Sequence, residues 1–391
     1  LFSRAPGRVN VIGEHTDYSL LPVLPLAIDR AVLVAAGQGV PGRIAADSLT
    51  EPGPITINRE VESVDGWHHY LGGVLEVLDW SGRGADLLIG GDLPSTGGLS
   101  SSSALSVGLI AAFDQLWSLG LGREGLIDRA VRSERRLGVE SGSMDQTVIT
   151  LAEEGAALRI DFDPPSVRAV PLPEELAIVA AYSGTASPKG GSALDSYNEK
   201  VAACRAAAVL IGHRGGVDVG NPPTLSRVAR MAGVERLVDE LPVEASASLV
   251  ASLAGCDPEI VTRFSVGGFD PDRPLPIQVS ARHVLSEAAR VDRAEEALAN
   301  GDLVALGALL DASHRSLQEF GASTAALDRL VEAMRASGAY GSRLTGAGFG
   351  GYGLAACPVN RAEQVLAAAV AATGGPAFRV RASAGARVFR P

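Results

Sequence analysis

Apolar and polar positions along the chain alternate between strand and helix periods, with glycine-rich segments between the runs. Residues 3–14 (SRAPGRVNVIGE) mix small, polar and branched apolar residues, and they predict a strand ending in a glycine turn. His15, Thr16, Asp17 and Tyr18 then crowd polar groups at its mouth, and residues 23–37 predict a buried strand broken by Pro25. Trp67 opens a helical pattern with apolar residues at Leu71, Val74, Leu75 and Leu78. An apolar run from Ala85 leads into residues 90–104, GGDLPSTGGLSSSSA, and the long apolar segment 105–116 follows at once. This order predicts a strand, a tight loop and a helix with four serines at its start. A second helix is expected over 123–137, with Leu126, Ile127, Ala130, Val131 and Leu137 inward. The loop 138–146 carries one acid, Asp145, into an apolar segment. Strands at 157–162 and 177–182 are separated by a proline-containing link. From about residue 185 the chain turns helical and alanine-rich, with a helix starting at Tyr197 and a helix pair over 282–299 and 302–320. A third glycine loop at 341–351 precedes a strand at 352–357, and the tail alternates helix (361–372) with strands (378–382 and 387–390). The change of texture predicts a domain boundary near 180–190.

Bulk properties narrow the class. A chain of 391 residues is long enough for two domains with buried cores. Its 46% hydrophobic and 20% charged content are those of a soluble globular protein. A net charge of −11 argues against nonspecific binding to nucleic acid or an anionic membrane, so an anionic ligand needs a local positive pocket. Cys204, Cys256 and Cys357 are scattered and odd in number, which suggests neither a disulfide framework nor a zinc site. No apolar run approaches the roughly 18 residues of a membrane span. The opening Leu1-Phe2-Ser3-Arg4 does not read as a signal peptide, and a cytoplasmic protein, monomeric or weakly dimeric, is expected. His68 and His69 are adjacent and do not share a helix face, so they are not expected to form a metal pair.

The glycine–serine loop is the strongest chemical signal. Glycines let a backbone approach a ligand closely, and the first turn of a helix presents free N–H groups and the positive end of its dipole. Together these make a phosphate cradle. No Gly-Lys-Ser/Thr follows, so the loop is not a Walker A motif. A connector that binds nothing has the same composition, and an acid at a helix start such as Asp145 also serves as a cap.

The motifs taken together resemble one family. APGRVNVIGEHTDY (5–18), LPSTGGLSSSSAL (93–105) and GSRLTGAGFGG (341–351) are similar to the three motifs of the galactokinase branch of the GHMP kinases. WHHYLGGV (67–74), GSMDQ (142–146), SYNEK (196–200) and RHVLSEAARV (282–291) are also similar to family segments, so the resemblance is essentially end to end. Residues 133–155 and the stretch from 282 through the third motif resemble the N-acetylgalactosamine kinase side. Two departures stand out. Ser19-Leu20-Leu21-Pro22 follows the first motif where the family usually has Asn-Gly-Gly, and Glu134 stands one residue nearer to Asp145 than is common.

The resemblance implies an α+β, two-domain GHMP kinase fold with the active site between the domains. Residues 1–185 would form an N-terminal ribosomal-S5-like mixed domain and residues 186–391 a ferredoxin-like domain, with the last strands able to return to the first. It implies transfer of the ATP γ-phosphoryl group to the anomeric hydroxyl of galactose. Asp145 would act as base, paired with Arg8. Glu14, His15, Asp17, Gly142 and Tyr197 would hold the sugar. Gly97, Gly98, Leu99, Ser100, Ser101, Ser102 and Ser103 would cradle the ATP phosphates, with Trp67 and Tyr70 beside the adenine. Ser102 or a neighbouring serine, with Glu134, would bind Mg²⁺. N-acetylgalactosamine or arabinose as the acceptor, decided by segments 19–22, 138–143 and 184–196, is the alternative of the same class. A sugar and ATP sensor without catalysis is the alternative of another class, and it predicts a damaged phosphate loop or a lost Asp145–Arg8 pair.

Overall fold

A computed structural model describes residues 1–51, 53–58, 66–138, 140–186, 192–264 and 269–390. The chain begins with the long strands β1 (Phe2–Ile12) and β2 (Leu24–Gln38), followed by β3 (Arg43–Ser48) and β4 (Ile55–Asn58). Helix α1 (His68–Val77) leads to β5 (Ala85–Gly91), and α2 (Ser101–Trp117), α3 (Gly122–Arg135) and α4 (Met144–Leu151) follow. A hairpin of β6 (Ala156–Phe162) and β7 (Pro165–Pro171) then precedes β8 (Leu176–Tyr182). The helical stretch comprises α5 (Ser192–Gly215), α6 (Val234–Asp239), α7 (Ala247–Ala254), α8 (Glu259–Thr262), α9 (Ile277–Ala299) and α10 (Leu303–Glu319). The chain closes with α11 (Ala325–Ala336), β9 (Gly341–Leu344), β10 (Tyr352–Pro358), α12 (Ala362–Thr373), β11 (Ala377–Val380) and β12 (Arg387–Phe389).

Two sheets organise these elements. The first runs β12-β1-β2-β5-β3-β4, and its only parallel pair is β3 with β5. Its inner face packs on α2. Ile12, Leu24, Leu26, Ile28 and Phe113 are fully buried there, each worth about 1.5–3 kcal/mol of apolar burial. The second sheet is antiparallel in the order β11-β8-β10-β9. In chain order this is the 4-1-3-2 arrangement of a ferredoxin-like β-α-β-β-α-β unit, with α11 and α12 as its helices. Side chains alternate across its strands. Ala177, Val179, Ala181, Ala355 and Cys357 pack under α11 and α12, whereas Leu176, Ile178, Ala180, Leu354 and Ala356 join the core of the first sheet.

The fold is α+β, as the motifs imply. The sheets interleave along the chain. A cut at residue 185 would leave β8 on the N-terminal side, yet its strand partners are β10 and β11. β12 returns to pair with β1, with Phe2 opposite Phe389. Five elements differ from the sequence pattern. β3 and β4 are not anticipated by it. β7 occupies the proline link, because prolines at both of its ends disguise a strand that pairs only with β6. β9 lies inside the third glycine segment, where Gly341, Ser342 and Arg343 are buried strand residues of un-strand-like composition. α5 begins at Ser192, five residues before Tyr197. Among the described residues, no helix is long and apolar enough to cross a membrane.

Candidate active site

The exit of β1, the first turns of α2 and α4, and the glycine turn after β9 converge on a cleft of about 940 Å³. Arg8, near the end of β1, is 5% exposed and reaches across it to Asp145 in the first turn of α4. Nε donates to Asp145 Oδ1 at 2.7 Å and Nη2 to Oδ2 at 2.7 Å, a bidentate fork that fixes both planes. The third guanidinium nitrogen donates to the carbonyl of Gly98. Burial works against the guanidinium charge, but Asp145 and Glu14 outweigh it and raise its pKa. Ser100 adds a third donor to Asp145 through its hydroxyl. This serine is left-handed at φ 58°, unusual for a residue with a side chain, and it makes no side-chain cap on its own helix. The N–H groups of Ser101, Ser102 and Ser103 have no carbonyl four residues back within the helix, so the first turn of α2 offers donors to an anion.

The polar turn after β1 supplies one wall. Glu14 is 2% exposed; Oε2 accepts from Asn10 Nδ2 at 2.7 Å and Oε1 from the Gly346 N–H at 2.6 Å. His15 is also left-handed, at φ 63°. Its Nε2 lies 3.0 Å from the Ala347 carbonyl, which can only accept, so Nε2 carries the hydrogen and Nδ1 accepts from the Tyr18 hydroxyl at 3.2 Å. Burial, followed by the neighbouring His283, pushes its pKa down to about 3, so the ring is neutral. Asp17 accepts from the Tyr18 N–H at 2.9 Å and the Met144 N–H at 3.4 Å. Burial, reinforced by Asp145, raises its pKa to about 7. Gly142 backs onto this carboxylate so closely that a Cβ would stand 2.2 Å from Asp17 Oδ2. Tyr197, on α5, completes the wall with its ring 5.7 Å from that of His15, and burial raises its phenol well above the ordinary value.

Gly97, Gly98, Ser100, Ser101, Ser102 and Ser103 all line the cleft. Leu99 does not. Its side chain, 1% exposed, belongs to the core, and its carbonyl accepts from the Arg8 N–H at 3.1 Å. The loop turns its only apolar side chain inward as a core anchor, so the phosphate contact expected of Leu99 is one through its backbone. Trp67 and Tyr70 stand on the same cleft, with Trp67 at the cap of α1 and the Tyr70 phenol near Ser102. Glu134, on α3, is 8% exposed; Gln146 donates to its Oε2 at 2.8 Å, and among the described residues Oε1 has no hydrogen-bond partner. Burial raises its pKa to about 7, against the opposing pull of the nearby Ser103 hydroxyl. A buried carboxylate with a free oxygen, beside serine hydroxyls and a phosphate cradle, suits a hard cation that takes few protein ligands. Glu134 lies in the last turn of α3, which ends at Arg135. Residues 139 and 187–191, within the segments expected to decide the acceptor, lie outside the described residues.

The sequence motifs did not single out the role of Ser100 towards Asp145, nor the packing of the third glycine turn on the first two. Tyr352 N–H donates to the Gly97 carbonyl at 3.0 Å, and Thr345 Oγ1 accepts from the Asn10 N–H at 2.9 Å. Models of the galactokinase galactose-binding signature, the GHMP kinases N terminal domain and the GHMP kinases C terminal match residues 1–38, 69–153 and 294–374. The chain is 35% identical over 378 residues to a galactokinase of Chloroflexus aggregans, covering 94% of this chain and 87% of that protein. It belongs to the galactokinase family. A solved galactokinase of Lactococcus lactis, complexed with galactose, superposes with a TM-score of 0.79 at 27% identity, over 99% of this chain and 95% of that one. A Methanococcus jannaschii mevalonate kinase, at 16% identity, covers 98% of both chains with a TM-score of 0.61 and shares the fold. As a member of the galactokinase family, the chain is a sugar kinase.

Proposed function

We propose that this chain transfers the γ-phosphoryl group of ATP to the anomeric hydroxyl of galactose. The observation that carries the reading is the Arg8–Asp145 fork, set between a sugar-type polar wall and a helix N-terminus. Asp145 would stand beside the C1 hydroxyl, accepting or polarising its proton. Arg8 and Ser100 fix the carboxylate's orientation, and Arg8 stabilises charge on the transferring oxygens. Glu14, His15, Asp17, the Gly142 backbone and Tyr197 take the remaining hydroxyls, each of which both donates and accepts. The backbone of Gly97–Ser103 holds the triphosphate, and Trp67 and Tyr70 flank the adenine. Glu134 with Ser102 or Ser103 would hold Mg²⁺, which when bound neutralises phosphate charge. Use of ATP and three free cysteines suit the cytoplasm.

The intact Arg8–Asp145 fork favours a catalyst over a sensor. The test is ADP release with Mg-ATP across galactose, N-acetylgalactosamine, arabinose and glucose, with the phosphate located by NMR. Turnover on galactose with phosphate at C1 supports the reading. Preference for N-acetylgalactosamine moves the acceptor, and ATP binding without turnover on any sugar overturns catalysis.

A further inference from the structure

Behind the polar wall lies a buried charged cluster whose members Arg343, Glu287 and His283 do not themselves line the cleft. Arg343, on β9, and Glu287, on α9, are both 0% exposed. Arg343 Nη1 donates to the Val11 carbonyl at 3.1 Å, and Nη2 lies 3.8 Å from Glu14 Oε1 and 3.6 Å from Glu287 Oε1. Glu287 Oε1 accepts the Gly13 N–H at 3.0 Å and the Ser313 hydroxyl at 2.6 Å, while Arg290 Nε donates to Oε2 at 2.6 Å. His283 Nε2 donates to the Glu14 carbonyl at 3.1 Å, and its Nδ1 accepts from Ser316 at 2.8 Å. Polar groups of residues 11, 13 and 14 are thus each gripped by a side chain from a distant element.

This grip answers a specific backbone problem. The β1–β2 ladder slips between Asn10 and Ile12, and β1 ends there. The main chain leaving the sheet carries polar groups that must be satisfied in a dry interior. Gly13 turns at φ 105°, and a Cβ there would lie 2.9 Å from Val23 Cα and Val291 Cγ2, so the turn has no room to relax. Apolar residues could fill the same volume with equal or better stability, since a buried ion pair is weak evidence for stability. They could not hold these main-chain donors and acceptors in register. Burial opposes charge on Glu287, but Arg343 and Arg290 bring its pKa down to about 2, so it stays ionised.

We propose that Arg343 and Glu287 are positioning residues for the sugar acceptor: they set the turn that presents Glu14 and His15, and so govern sugar affinity without touching sugar. This rests on the reading of Glu14 and His15 as acceptor-binding residues. Removing the guanidinium in Arg343→Met should raise the galactose KM about tenfold or more, because small displacements of a binding constellation are amplified, with the ATP KM within about twofold. Arg343→Lys keeps a cation between the two carboxylates and should recover most of that loss. Ser313→Ala removes one hydrogen bond from Glu287 and should fold readily. It should raise the galactose KM by a smaller factor, and hydrogen exchange in the peptide over 11–18 should quicken. Equal shifts in both KM values, no difference between the Lys and Met variants, or unchanged constants and exchange in Ser313→Ala would overturn the proposal. Failure of the wild-type protein to turn over galactose would instead overturn the substrate reading, and the exchange measurement still decides the positioning.

Discussion

Two carboxyls in the cleft, Asp17 and Glu134, have pKa values pushed up to about 7 by burial, while three donors converge on Asp145. For Asp17 the sign is direct. Its ordinary value is 3.8, so between about pH 4 and 7 the native state keeps a proton that the unfolded chain has lost. Its contribution to stability therefore falls as pH rises through that window and stays low above it. Asp17→Asn should gain thermal stability relative to wild type between pH 5 and 8; a pH-independent difference in melting temperature would contradict this. Individual residues were legible in the sequence where a motif carried them, as with Arg8, Asp145 and Glu14. The bond of Ser100 to Asp145 and the places of Glu287 and Arg343 were not, because their meaning lies in pairs. Glu287 meets Gly13 across 274 positions, and Ser100 acts only through a left-handed conformation no pattern reports.

At the scale of elements, the three glycine segments form one unit. Gly346 sits at φ 83°, and a Cβ there would come within 2.7 Å of the Gly98 carbonyl oxygen. Gly346→Ala should therefore cost about 1–3 kcal/mol of stability through strain, and it should raise the ATP KM by displacing the phosphate loop. A denaturation midpoint and ATP KM both at the wild-type values would show that the turn is not wedged. Helices were legible because α2, α9 and α10 have long apolar spacings. Short strands were not. β9 buries an arginine and β7 is framed by prolines, so neither carries the alternation that marks a half-buried strand.

At the scale of the molecule, the two sheets share one core, to which β1, β2, β8 and β10 all contribute. The sheets should therefore unfold together. Tryptophan fluorescence and far-ultraviolet circular dichroism are expected to follow one transition between them, and resolved transitions for the first and second sheets would contradict the shared core. The α+β class was legible through the motifs that resemble the family, and the late return to strand through the apolar pattern of the tail. The pairing of β8 with β10 was not, because strand partners 170 or more residues apart leave no local pattern. The packing of α4 on β1 sets Arg8 and Asp145 opposite each other, and on that pair the account stands. The decisive measurement is the kcat of Asp145→Asn with galactose and Mg-ATP beside wild type, with ATP affinity measured on the same samples. A fall of roughly 10²–10⁴-fold in kcat, with ATP affinity held, is predicted. Near-native turnover in the Asn variant would contradict the assignment of Asp145 as the group that works on the acceptor hydroxyl.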